Sequence, residues 1–134
     1  MKQIIAVGFG LITAFVLTVS AAAAGDVNVK ETLGSGSFAG ASGHITTGDV
    51  SVVTTQGGKT LVVLGENFVF DGAPDPQISF GVNGKHVPAT LMGKLASNTG
   101  KQVYEVPAGV DPADFDQVYV YCVKFNVPLG VASF

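Results

Sequence analysis

The sequence predicts an all-β domain, a compact antiparallel sandwich or barrel of about eight short strands. Three observations predict it. Apolar and polar residues alternate with the two-residue period of a half-buried strand in VNVKETL (27–33) and VSVVTT (50–55). Glycine, proline and asparagine recur at short intervals between the apolar runs, at Gly57-Gly58, Gly72 to Pro76, Asn83-Gly84 and Asn98 to Gly100. Sustained helical periodicity is missing from the same region.

The first element is a leader. Met1-Lys2 supplies a positive charge, Ile4 to Val19 is apolar without an acid, and Ala21 to Ala24 offers small residues for a peptidase. That order is the pattern of a secretory signal peptide over 1–24, which places the remainder, a single domain over 25–134, in the periplasm or outside the cell. No cysteine adjoins the alanines, which argues against a lipid-anchored form. The domain is long enough to bury a core without a disulfide staple. Losing Lys2 leaves six lysines against ten acids, a net charge of −4, and no arginine. That balance excludes a nucleic-acid surface and a polybasic membrane patch.

Within the domain, Gly34 to Gly43 (GSGSFAGASG) reads as the nearest thing to a linker. TLVVL (60–64), NFVF (67–70), QISFGV (77–82) and QVYEV (102–106) follow as strands. Val110 to Phe115 is the one helical turn, with Asp111 as cap, Pro112 in the first helical position and Asp114 at its positive end. QVYVYCVKFNV (117–127) reads as one strand. It places Val118, Val120, Cys122, Lys124 and Asn126 on one face and Tyr119, Tyr121, Val123, Phe125 and Val127 on the other. Cys122 would then sit at the border between core and surface.

Few residues carry recognisable chemistry. Gly57-Gly58-Lys59-Thr60 lacks the earlier glycine and the following helix of a phosphate loop, and Gly34-x-Gly36 does not open a helix. The acids flanking Gly72-Ala73-Pro74, and those at 111, 114 and 116, are too few for a calcium loop. His44, His86, Met92 and Cys122 are blue-copper residue types in the wrong chain order, and a haem lacks a Cys-x-x-Cys-His attachment. The cofactor is therefore unknown; haem or copper would have no ligand motif. The sole cysteine remains. It is either a packed apolar group or a reactive thiol, with Lys124 favouring the thiolate. As an odd thiol in an exported chain it could also link a homodimer.

Tyr121-Cys122, Phe125, Val127 and Gly130 resemble the C-terminal signature of the DM-thirteen domain. Phe68 to Asp75, Gly36-Ser37-Phe38 with His44, and the stretch from Gly93 to Pro107 resemble its other segments. Tyr121 stands where the family often has Trp, and the aromatic expected near Ile78 is missing. The resemblance implies a compact β-domain that takes part in electron transfer through its cysteine, with an unknown redox or extracellular protein as partner. It implies Cys122 as the redox thiol and His44, Asp75 and Tyr121 as polar or aromatic companions. The rival expectation is a non-catalytic adhesion or binding module in which Cys122 is packed core.

Overall fold

The computed structural model describes residues 27–134; the expected signal peptide over 1–24 lies outside them. Eleven strands and two 3-10 turns follow one another. A four-stranded sheet has the order β1 (Val29–Ser37), β4 (Asp49–Thr55), β5 (Thr60–Leu64), β9 (Gln102–Glu105). A five-stranded sheet has the order β2 (Ala39–Gly40), β11 (Val127–Ser133), β10 (Gln117–Cys122), β7 (Pro76–Val82), β8 (Lys85–His86). A ribbon of β3 (Thr46–Thr47) and β6 (Val69–Phe70) completes the all-β architecture. Every strand pairing is antiparallel. The strand count exceeds the eight expected because four of the eleven are two-residue pieces with no hydropathy signature of their own.

Of the two alternating segments, 50–55 enters the core through Val50 and Val52, whereas 27–33 forms the exposed edge strand, with Val29 and Leu33 open to solvent. Val50, Val52, Val62 and Leu64 face inward from one sheet, and Ile78, Phe80, Val118, Val120 and Leu129 from the other, with Phe38, Phe68 and Phe70 between. Phe68 and Phe80 are wholly buried, each contributing roughly 1.5–3 kcal/mol by leaving water. The seam between the sheets is β1 against β11. A Cβ on Gly36 would collide with the carbonyl of Ser133, so only glycine lets the two backbones meet there. The outer edge of β1 carries two register shifts and the charges of Lys30 and Glu31, devices that blunt edge-to-edge pairing.

Two expectations are corrected. Gly34 to Gly43 is not a linker: it forms the end of β1, then β2 and a tight turn through Ser42 and Gly43, both at positive φ, closed by His44 N–H to the Ala41 carbonyl. Small residues serve closeness here, not mobility. QVYVYCVKFNV is likewise not one strand. It ends at Cys122, reverses over Val123 to Asn126, and restarts at Val127. Asn126, at φ 57°, is the αL residue that permits the reversal.

The 3-10 turn at Pro112–Asp114 forms as expected, with Asp111 Oδ1 accepting from Ala113 N–H at 2.9 Å. A second turn at Pro88–Thr90 covers the far edge of β7. There the buried Thr90 hydroxyl accepts Phe80 N–H at 2.8 Å, and Ile78 bonds to Met92 and Gly93. The stretch from Ser97 to Tyr104 is pinned by a buried side chain. Gln102 receives Ser97 N–H and the Tyr104 hydroxyl on Oε1, and donates Nε2–H to the Ser97 and Gly100 carbonyls. Tyr104 Oη in turn accepts Ala96 N–H. Among the described residues no helix is long and apolar enough to cross a membrane.

Candidate functional site

β10 lies between β7 and β11, so each of its residues has a partner on both sides. Cys122 forms the last rung, opposite Pro76 and Val127. The two-residue period points it inward with Val118 and Val120, and it is 1 % exposed within the apolar core cluster. The expected border position is thus corrected. The reversal at 123–126 ends the strand immediately after it, so the polar residues thought to share its face, Lys124 and Asn126, belong to the turn instead.

That turn is an exposed tip at the end of β10. Val123 and Phe125 are exposed, and the Lys124 ammonium lies over the Phe125 ring, 5.7 Å from its centroid. Two bonds hold the tip to the body. Val123 N–H donates to the Asp75 carbonyl at 3.2 Å, and the Tyr121 hydroxyl donates to Asn126 Oδ1 at 2.7 Å. Asp75 and Tyr121 therefore stand beside Cys122 as fastenings of the segment that follows it. The Asp75 carboxylate accepts from Gln77 Nε2.

His44 is engaged elsewhere. Its Nδ1 lies 2.8 Å from Asp71 Oδ1, while Asp71 Oδ2 accepts Ile45 N–H at 3.0 Å. That backbone donor, followed by the bond from His44, holds the Asp71 carboxyl below its ordinary range. His44 still belongs to the same end of the domain: Asp71 opens the segment whose last residue, Asp75, fastens the tip. Segment 93–98 joins them through Leu95 N–H to the Pro76 carbonyl and Phe70 N–H to the Asn98 carbonyl.

The opposite face of β10 carries residues that the sequence did not bring together. Tyr119 and Tyr121 point outward yet are almost covered. His86, from β8, stacks on Tyr121 with ring centroids 3.6 Å apart at 11°, and Tyr119 meets both rings edge-on. Tyr119 leans over Gly81, where a Cβ would strike its ring. His86 Nδ1 lies 2.8 Å from the hydroxyl of Ser79, which is wholly buried. Desolvation lowers the pKa of His86 and raises that of Tyr119. The signal that could have found this cluster is Tyr-x-Tyr on a strand whose other face is apolar; His86 enters only through the register Gly81↔His86.

A metal or haem held through Cys122 does not fit these positions. The sulfur lies in the apolar core, His86 is on the far side of the strand, and His44 is bonded to Asp71. Met92 packs against the core from the edge of β7. No three His, Cys, Asp or Glu side chains converge as metal ligands among the described residues.

The domain is thus an all-β fold whose central strand carries two tyrosines on one face and the thiol on the other. The family model for Electron transfer DM13 matches residues 37–134, nearly all of the described chain. The chain belongs to that family. No curated protein and no solved structure matches it.

Proposed function

We propose that this is an exported electron-transfer domain, periplasmic or secreted, in which Cys122 is the redox residue and the 123–126 tip controls access to it. Membership of an electron-transfer family supports the general role. The observation that carries the specific one is the position of the sole thiol: on the last rung of β10, immediately before a four-residue turn fastened by two identified hydrogen bonds. The thiol of a cysteine that is 1 % exposed cannot be attacked in the closed state. With the tip open, the Cys122 thiol loses its proton to water and its thiolate attacks one sulfur of a partner protein's disulfide. The partner's S–S bond breaks, a mixed disulfide forms, and the partner's second sulfur leaves as thiolate. Lys124, carried on the tip, supplies a positive charge that favours the thiolate once the two are in water together. His44 and Asp71 anchor the neighbouring loop, and nothing in this scheme requires a membrane after the leader is removed.

A second reading is favoured by the burial itself: Cys122 as a packed apolar group in a non-catalytic binding module. The two separate by measuring native-state alkylation of Cys122 across low concentrations of urea. Gated access gives a reaction rate that hardly depends on urea, because little surface is exposed by a local opening. Reaction only with the urea dependence of global unfolding would leave the packed reading standing. A disulfide-linked homodimer on non-reducing electrophoresis after mild oxidation would show that the opened thiol can meet a second copy.

A further inference from the structure

Four side chains form an unbroken line from within the five-stranded sheet to the 123–126 tip. Ser79 of β7 is 0 % exposed, and His86 Nδ1, 2.8 Å away, is the only partner of its hydroxyl among the described residues. His86 stacks on Tyr121, and the Tyr121 hydroxyl donates to Asn126 Oδ1 on the tip. The serine fixes the state of the imidazole. If the ring donated to Ser79, the serine proton would be buried without an acceptor. The serine therefore donates to Nδ1, and the neutral ring carries its proton on Nε2.

Protonation breaks this arrangement. An imidazolium has two N–H groups and no acceptor, so Nδ1–H must turn to the serine oxygen and the serine proton is orphaned inside the sheet. Nothing packed around the ring compensates. β7 brings Gln77, Ser79 and Gly81, none of them charged, and β10 brings the phenols of Tyr119 and Tyr121. Pro128 of β11 is neutral, the turn after β8 has no titratable group, and β8 itself adds a second cation, Lys85. Of the acids that flank these strands, Asp75 accepts from Gln77 and Asp116 acts on Tyr119; no carboxylate pairs with His86 among the described residues. A tyrosine face attracts a cation weakly where water has access, which does not offset a buried, orphaned hydroxyl. Desolvation acts in the same direction and lowers the His86 pKa. A way out exists. β8 is a two-residue edge strand held by its rungs to Gly81 and Val82 and by Val87 N–H to the Phe80 carbonyl. His86 also lines a shallow concavity with Gly84, Lys85 and Pro128, so solvent reaches the ring.

We infer that His86 is a positioning residue that holds Tyr121, and through it the tip, closed at neutral pH, and that acid releases both because the imidazolium leaves Tyr121 as β8 lifts from the sheet edge. Uncovered on that side, the Tyr121 ring regains rotamer freedom, and the entropy of fixing it falls on its single bond to Asn126. The tip then opens more often and Cys122 is reached sooner. This consequence rests on the gated reading of Cys122; release of the stack does not.

The test follows two readouts across the titration range of histidine, from about pH 7.5 to about pH 5. NMR reports the tautomer of His86 and its contacts with Tyr121. Protection of Cys122 is the ratio of maleimide alkylation rates in the urea-unfolded and native protein at each pH, which cancels the loss of thiolate. The Nε2–H tautomer is expected at the upper end, with the contacts to Tyr121 lost as the ring titrates. Protection should fall about fivefold, the effect of losing the Tyr121 bond altogether, while its urea dependence stays shallow. His86→Phe keeps a ring on Tyr121 without a titrating group, and Tyr121→Phe leaves no tip bond to lose, so each should abolish the pH dependence. An Nδ1–H tautomer, a stack intact at the acid end, or pH dependence that survives in His86→Phe would each overturn the inference. Protection that follows the slope of global unfolding at neutral pH refutes the gate and the inference together; a shallow slope with protection flat in pH refutes the inference alone.

Discussion

Replacing Tyr121 by Phe removes one of the two fastenings of the 123–126 tip and nothing else of size. The lost bond is the 2.7 Å contact from the Tyr121 hydroxyl to Asn126 Oδ1. Asn126 is exposed, so its amide oxygen is taken over by water and leaves no orphaned group. The net cost is that of an ordinary hydrogen bond, about 1 kcal/mol, which multiplies the opening equilibrium by about five. In the closed domain, opening must break two such bonds and expose one small apolar side chain. That sums to about 3 kcal/mol and predicts alkylation some hundredfold slower than for a free thiol. Access through global unfolding, at about 5–15 kcal/mol, would slow it by at least about three orders of magnitude. The assay is alkylation of Cys122 by a small maleimide in native buffer, followed by intact mass. The expected result is a hundredfold protection, reduced about fivefold by Tyr121→Phe, while the same loss of about 1 kcal/mol lowers the urea midpoint by about 0.3–1 M. Protection of about three orders of magnitude or more, falling with urea along the slope of global unfolding, would refute the gate.

Four further outcomes are expected. Asn126→Ala removes the same bond and places a Cβ-bearing residue without a polar side chain at φ 57°, so it should accelerate alkylation more than Tyr121→Phe. Gln102→Ala strips partners from Ser97, Gly100 and Tyr104 together, and urea denaturation should show a loss of about 2–4 kcal/mol. The depressed His86 pKa means the unfolded chain binds more protons below pH 6.5; stability should be full above that value and fall as pH drops through it, a trend His86→Phe should remove. Asp71 is also depressed, chiefly by Ile45 N–H, so its contribution is present above the ordinary carboxyl value of 3.8 and lost as pH falls below; Asp71→Asn should therefore lie closest to the unsubstituted domain at the acid end of a melting series.

The fold class was legible because it depends on local pattern: the alternating segment at 50–55 and the apolar runs at 60–64, 77–82 and 102–106 became β4, β5, β7 and β9 with little change. The turn at 112–114 was legible for the same reason, since cap, proline and acid are neighbours in sequence. The reversal after Cys122 was missed although Asn126 marks it. Val123 and Phe125 continue the apolar alternation past the point where the strand ends, and only the pairing Cys122↔Val127 reveals the turn. Tyr121 and Asp75 were picked out by family likeness, and their part in fastening the tip needs coordinates to see. The His86 stack could not be read at all. It arises because Tyr121 reaches past β7 to a two-residue strand, a register across three strands of the sheet that no local pattern encodes.

The position of β11 has a kinetic meaning. It is the last strand of the domain and sits between β2 and β10, so one side of it pairs locally and the other reaches residues about 90 positions earlier, Gly40 with Gly130. Closing a span of that length costs entropy before any contact repays it, which places folding toward the slow, millisecond-to-second end for small domains. The seam at Gly36 cannot form until Ser133 arrives. Until those final residues are available, β2 and β10 have no strand between them and the two sheets lack their seam.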